Sequence, residues 1–357
     1  MSADEHETSL AETRHTLHAR LMRFARHGEG AFDELARDVA AYQARALPAY
    51  GRLVAASGPE ALTHWTRVPP VPTELFAELD LCSLPPSSGE RVFMTSGTTQ
   101  GAARRGRRRA PDLALYDAAM AGPFIDAVLG GDRTPRRWVS LVPRADIMPT
   151  SSLSYMVTGL AEALASETTW CLDREGLDAN LARPVLAEGE GPIIILTTAL
   201  ALVDLLAALN EPPRMPRMPP GSRIMLTGGF KGRSDAITEA ELLDRVRRQL
   251  GIPAERVIPE YGMTELTSQA YGRPLAPMPS LRFRVVDPAT GDDLPPGEEG
   301  LVACFDLLNL DNVSAILTSD LGVLDASGRL ELRGRLAGSM PRGCSLTAEE
   351  LRRVVAG

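Results

Sequence analysis

Apolar side chains recur every third or fourth position early in the chain, at Leu17, Leu21 and Phe24 and again at Phe32, Leu35, Val39 and Tyr42. That period predicts helices over residues 5–65. The proline-rich stretch Val68–Pro86 then reads as extended surface chain. Arg91–Met94 is a short apolar run that feeds directly into a loop of hydroxyls and glycine. After it, helix-like and strand-like segments alternate. Helices are expected at 111–129, from Ser151 to about Ala165, at Ala199–Leu209 and at Ala236–Leu250. Strands are expected at Trp138–Val142, Pro192–Leu196, Arg223–Leu226 and Val257–Pro259. Pro192–Leu196 is apolar on both faces, as a buried parallel strand is. The alternation predicts a doubly wound α/β fold with mostly parallel sheets. From Leu281 onward the pattern becomes short alternating strands, with turns at Pro288–Gly291 and Ala326–Gly328. This gives four segments: a helical region over 1–66, an α/β core over 67–280, a small β-rich subdomain over 281–335 and a short tail over 336–357.

Composition narrows the class without naming a chemistry. Apolar residues make up 44% of the 357 residues, which fits a soluble globular chain. A net charge of −8 offers no electrostatic footprint for nucleic acid. No apolar run approaches the length of a membrane span, and the first 30 residues show no signal-peptide pattern. The four cysteines (Cys82, Cys171, Cys304 and Cys344) form no CxxC pair, and all five histidines lie before residue 65, so a structural zinc site is not expected. A reducing cytoplasm is the default compartment. Cys82, Cys171 and Cys304 lie in apolar or extended contexts and read as structural. Among 38 basic residues, Lys231 is the single lysine. It is either chance or a required compact ammonium that arginine cannot replace.

Three strings follow predicted strands, where ligands of open α/β sheets bind. Thr95-Ser96-Gly97-Thr98-Thr99 suits phosphate: Gly97 admits close backbone approach and the hydroxyls donate to phosphate oxygens. It is not a Walker loop. Thr227-Gly228-Gly229-Phe230-Lys231-Gly232 is the second string. The third, Tyr261-Gly262-Met263-Thr264-Glu265, offers an aromatic face for a base, a hydroxyl for phosphate or acyl carbonyl, and a hard carboxylate for Mg²⁺. Asp320 follows an apolar run and suits a ribose diol, with Arg335 placed 15 residues later to help. The run Arg104-Arg105-Gly106-Arg107-Arg108-Arg109 reads as a solvated surface loop in preference to a phosphate flap. Ser151 and Ser152 are either helix caps or contacts to an acid.

The order of Thr95–Thr99, Thr227–Gly229, Tyr261–Glu265, Asp320 and Arg335 resembles the adenylate-forming (ANL) superfamily of acyl-CoA synthetases, nonribosomal adenylation domains and firefly-type luciferases. Ser151–Met156, Thr227–Gly232 and Arg342-Gly343-Cys344-Ser345-Leu346 make it most similar to the acyl-protein synthetase (LuxE-type) family. The resemblance implies the large domain of that superfamily, a remnant of its C-terminal domain over 336–357, and ATP and Mg²⁺ as cofactors. It implies phosphate binding by Thr95, Ser96, Gly97, Thr98 and Thr99, and an adenine site lined by Gly228, Gly229 and Phe230. Tyr261, Gly262 and Met263 would complete that site, Thr264 and Glu265 would serve phosphate and Mg²⁺, and Asp320 and Arg335 the ribose. The implied reaction turns a carboxylic acid into an acyl-adenylate with release of pyrophosphate, then passes the acyl group to a thiol. That thiol is Cys344, or one on a carrier protein or acyl-reductase partner. An acyl-CoA or amide-forming ligase, or an inactive nucleotide-binding subunit, stays open beside it. Superfamily members carry a lysine in their C-terminal domain, whereas the 22 residues after Arg335 contain none. Lys231, an arginine or a partner would substitute.

Overall fold

A computed structural model of the protein describes residues 3–87, 89–95, 105–187, 191–210, 218–228 and 237–336. Two compact units emerge. The first joins Met1–Ala119 to Thr264–Gln269 and Pro274–Gly357, and the second holds Met120–Met263 and Ala270–Arg273. Chain order and compactness therefore divide the molecule differently. Residues 67–119 belong with the N-terminal helices and the late strands, not with the parallel sheet.

In the first unit, three helices come first: α1 (Ala3–His27), α2 (Phe32–Ala46) and α3 (Pro48–Ala56). The apolar stripe read from the sequence is their buried face, with Leu21 and Val39 fully enclosed. Short 3₁₀ turns lead to β1 (Val71–Pro72). The hairpin β2 (Arg91–Met94) and β3 (Arg107–Ala110) follows, paired Met94 to Arg107 and Phe93 to Arg108. Helix α4 (Ala114–Ala127) then begins in the first unit's residues and ends in the second's.

The hairpin corrects the reading of the arginine run. Arg107 is exposed, but Arg108 and Arg109 are only 5% and 8% exposed. Arg109 donates to Glu90 (2.6 Å), Asp80 (2.7 Å) and the Leu84 carbonyl (2.9 Å). Arg108 donates to Thr267 and to Asn309 Oδ1 (2.8 Å). Distant partners, not the local charge run, decide that these guanidiniums are buried: an interior charge persists only when paired or hydrogen-bonded.

The second unit carries β4 (Arg136–Ser140), α5 (Ser152–Leu164), β5 (Ala165–Trp170) and α6 (Ala179–Ala187). It continues with β6 (Ile193–Thr198), α7 (Ala199–Leu209), β7 (Arg223–Thr227), α8 (Glu239–Leu250), β8 (Val257–Tyr261) and β9 (Ala270–Tyr271). The sheet order is β5-β4-β6-β7-β8-β9, parallel except for β9. Helices α6, α7 and α8 cover one face, packing Leu202, Leu206, Leu242 and Val246 on Val139, Ile195, Ile224 and Val257. On the other face Trp138 meets Phe124 of α4, and Tyr271 meets Phe124 and Met156 of α5. The fold is thus α/β and doubly wound. Strand β5 and helix α6 were not expected: β5 is an edge strand whose polar ASETTW sequence lacks a clean alternation.

The remaining strands build the other sheet of the first unit. They are β10 (Leu281–Val286), β11 (Glu299–Asp306), β12 (Ala315–Leu324) and β13 (Leu330–Arg335). These four pair antiparallel in succession, and β1 pairs parallel with β12. Val286, Leu301, Ala303 and Leu317 form a core on one face, with Leu321 and Leu336 against it.

Candidate functional site

The neck of the hydroxyl-rich loop belongs to the β2–β3 hairpin. The Thr95 amide donates to the Gly106 carbonyl (3.0 Å), and the Gly106 amide donates back to Thr95 Oγ1 (2.9 Å). Arg105 Nε also donates to the Thr95 carbonyl. The loop's tip, with Ser96, Gly97, Thr98 and Thr99, lies outside the described residues, as do Gly229, Phe230, Lys231 and Cys344.

Glu265 lies against that neck. A Cβ placed on Gly106 would come 3.3 Å from Glu265 Oε1 and 3.0 Å from Thr95 Cγ2. The Glu265 side chain is buried, at 4% exposure, so it is no surface carboxylate. Burial pushes its carboxyl up to about 7; the nearby Glu74 pushes the same way, against the pull of Arg108 and Arg335. Among the described residues, the buried Glu74 Oε2 has no hydrogen-bond partner. It went unread in the sequence because the 3₁₀ turn Thr73–Ala77 has no motif to mark it.

A polar network fixes the backbone around Glu265. Asn309 Nδ2 donates to the Glu265 carbonyl (3.0 Å) while Asn309 Oδ1 accepts from Arg108. Asp306 Oδ2 accepts the Thr267 and Ser268 amides, each at 2.7 Å, and Oδ1 accepts from Ser268 Oγ (2.8 Å). The expected ribose pair are register partners on β12 and β13, and Arg335 Nε donates to Asp320 Oδ1 at 2.8 Å. The first unit therefore brings Thr95, Glu265, Glu74 and Arg335 together, with Asp320 on Arg335.

In the second unit, the strand order reverses direction between β4 and β6, and such sheets bind ligands beyond their carboxyl ends. Gly228 leaves β7 at φ 71°, and no atom of the described residues lies within 4 Å of where its side chain would stand. Tyr261 ends the neighbouring β8 and is buried. Beside them Thr227 Oγ1 donates to Glu260 Oε2 at 2.9 Å. Glu260 is buried and its carboxyl is pushed up to about 7 by that burial, against the Thr227 hydrogen bond. Ser151 caps α5, its Oγ accepting the Ser154 amide (3.1 Å), which is the capping role rather than a free hydroxyl. Tyr261, Gly262 and Met263 fall in the second unit, and Thr264 and Glu265 in the first.

The donor set fits a magnesium nucleotide. Mg²⁺ takes hard oxygens and is held through one or two carboxylates plus phosphates rather than in an all-protein cage. Glu265 and Glu74 offer carboxylates of that kind, and among the described residues no group of three or more His, Cys, Asp or Glu side chains forms a cage. Among the described residues no helix is long and apolar enough to cross a membrane.

No family model matches the chain, and no curated protein matches it. Among solved structures it is similar to ATP-bound MatB from Rhodopseudomonas palustris (18% identity, 68% of this chain and 47% of that one, TM-score 0.48). It is similar to the amide bond synthetase McbA from Marinactinospora thermotolerans (18%, 69% and 48%, 0.48). A long-chain-fatty-acid-CoA ligase (FadD1) from Archaeoglobus fulgidus is a third (16%, 69% and 51%, 0.49). The chain spans about half the length of these structures. With TM-scores below 0.5, none of these likenesses bears weight on its own.

Proposed function

We propose that the protein activates a carboxylic acid with ATP and Mg²⁺. A carboxylate oxygen of the acid attacks the α-phosphorus, the bond to the β-phosphate oxygen breaks, and pyrophosphate leaves. The acyl-adenylate remains. The observation that carries this reading is the closure of the hydroxyl loop's neck on a buried carboxylate, with the Asp320–Arg335 pair beside it. Thr95 and the loop Ser96–Thr99 would hold phosphate oxygens, and Glu265 the metal. Asp320 and Arg335 would take the ribose hydroxyls, exchanging part of their mutual ion pair for them. Gly228, Gly229, Phe230 and Tyr261–Met263 would line the base, with Thr264 at the phosphate. Mg²⁺ would offset the triphosphate charge as the α-phosphorus is attacked.

In the second half-reaction a thiolate attacks the acyl carbonyl, AMP departs and a thioester forms. The three described thiols are poor candidates. Burial pushes Cys82 and Cys171 up to about 11, and Cys304 well above the usual thiol range. That leaves Cys344, or a thiol on a carrier protein or reductase partner, as the acceptor. Lys231 is the one lysine available to contact the acid and α-phosphate.

The test is acid- and Mg²⁺-dependent exchange of labelled pyrophosphate into ATP over a broad acid panel, with intact-protein mass spectrometry for the acyl adduct. Exchange that Glu265→Gln lowers about a hundredfold supports the reading, on the scale of losing one transition-state electrostatic contact. Silence over the whole panel overturns it. Cys344→Ser is expected to keep exchange and lose the mass gain; an undiminished adduct removes Cys344 from the reaction.

A further inference from the structure

The connection between β11 and β12, residues 307–314, lies outside helices and strands yet is buried at every position. Backbone amides and carbonyls inside a protein need hydrogen-bond partners, and here some of them come from a distant helix. Gln43 of α2 is 0% exposed. Its Nε2 stands 2.9 Å from the Asn309 carbonyl, 3.2 Å from that of Leu310, 2.5 Å from that of Asn312 and 3.0 Å from Ser314 Oγ. An amide nitrogen carries two hydrogens, so these oxygens share them. Gln43 Oε1 accepts the Ser314 amide at 3.0 Å. Helix α1 adds a second tether, since Arg14 donates to both carboxylate oxygens of Asp311, each at 2.6 Å. Asn312 Nδ2 ties the segment to β3 by donating to the Arg109 carbonyl at 3.0 Å.

The same segment holds Glu265. Asn309 turns its backbone carbonyl to Gln43 and its side-chain amide to the Glu265 carbonyl. One residue therefore joins Gln43 to Glu265, and all three belong to the first unit. A shift of Asn309 carries the Glu265 backbone with it, and a misplacement of about 1 Å caused far from the chemistry is enough to disable a site. We propose that Gln43 is a positioning residue for the metal site: from α2 it fixes Asn309, and Asn309 fixes the backbone of Glu265. The inference rests on Glu265 as the Mg²⁺ ligand of the proposed function. It gives the N-terminal helices a task that their apolar stripe does not reveal, which is to set the stance of the carboxylate that meets the metal nucleotide.

The test compares ATP binding with Mg²⁺ and with chelator, by calorimetry on the full chain. The wild type is expected to bind ATP more tightly with Mg²⁺. Gln43→Met, similar in length but unable to donate, should cut that gain about tenfold, on the scale of removing an outer partner of a metal ligand, and leave binding with chelator unchanged. Leu53→Ala is the control: it removes a buried apolar side chain of α3, lowers the melting temperature and should keep the gain. Asn309→Ala combined with Gln43→Met should lose no more of the gain than Asn309→Ala alone, because both act through one contact. Should Gln43→Met not fold, Gln43→Asn, which holds the amide one carbon short of the segment, is read in the same way. An unchanged gain in the Gln43 variant, an equal loss in Leu53→Ala, or losses that add in the double variant overturns the inference. A wild type with no Mg²⁺ gain overturns it together with the metal role of Glu265, while pyrophosphate exchange in that protein leaves adenylation standing. A gain that depends on Gln43 without exchange for any acid keeps the inference and overturns adenylation.

Discussion

Two residues set the local energetics. Glu260 has a folded-state value of about 7 against an ordinary 4.5. The folded protein therefore holds that proton more tightly than the unfolded chain. Its stabilising contribution is complete below about pH 4.5 and lost as the pH rises through 7. A shift of that size corresponds to about 3 kcal/mol. The ligand-free protein is thus expected to lose melting temperature between pH 5 and pH 8, and Glu260→Gln to flatten that decline; denaturation at a series of pH values measures it. At Gly106, added atoms meet the Thr95 methyl at 3.0 Å and the Glu265 carboxylate at 3.3 Å. Gly106→Val is expected to cost about 1–3 kcal/mol in denaturant melts and to eliminate pyrophosphate exchange. Alanine there needs only a few tenths of an ångström from two side chains and should be milder.

Among the elements, the segment after Glu265 is held by hydrogen bonds rather than by secondary structure. Asp306 receives the Thr267 and Ser268 amides, and Asn309 links the Glu265 carbonyl to Arg108. Asn309→Ala removes partners from a buried guanidinium and two carbonyls, since Asn309 also donates to the Val313 carbonyl (2.8 Å). Leaving such groups unsatisfied costs about 1–3 kcal/mol each. The expected outcome is a loss of several kcal/mol in urea unfolding, with weaker Mg²⁺ dependence of exchange in what remains folded. Helix α8 is a contrasting case of purely local stabilisation. Thr238 accepts the Glu241 amide (3.2 Å), the Glu241 carboxylate accepts the Thr238 amide (2.6 Å), and Gly251 closes the other end at φ 71°. Thr238→Ala should cost about 1 kcal/mol and leave exchange untouched.

For the whole molecule, a ligand that binds only the folded state raises its stability. Saturation with Mg²⁺-ATP at about a hundred times its Kd adds about 2.7 kcal/mol. A thermal upshift with Mg²⁺-ATP that is absent with ATP and chelator, and reduced in Glu265→Gln, is the expected result.

What the sequence determined was periodic or local. The N-terminal helices, the strands β4, β6, β7 and β8 and the helices α5, α7 and α8 followed from apolar spacing, because burying one face imposes a period on the chain. The hairpin turns and glycine-rich strand ends were equally visible, and the string Tyr261–Glu265 could be noticed by residue type alone. Tertiary structure decided the rest. It drew Arg108 and Arg109 inside through Asn309, Thr267, Glu90 and Asp80. It set Glu74 beside Glu265, spent Asp320 on Arg335, and buried Glu260 beside Thr227, which donates to it. Charge is the reason for the divide. A hydrophobic pattern repeats along the chain and can be read from it, whereas the state of an ionisable group depends on partners as far as 297 residues away, as Asp311 is from Arg14.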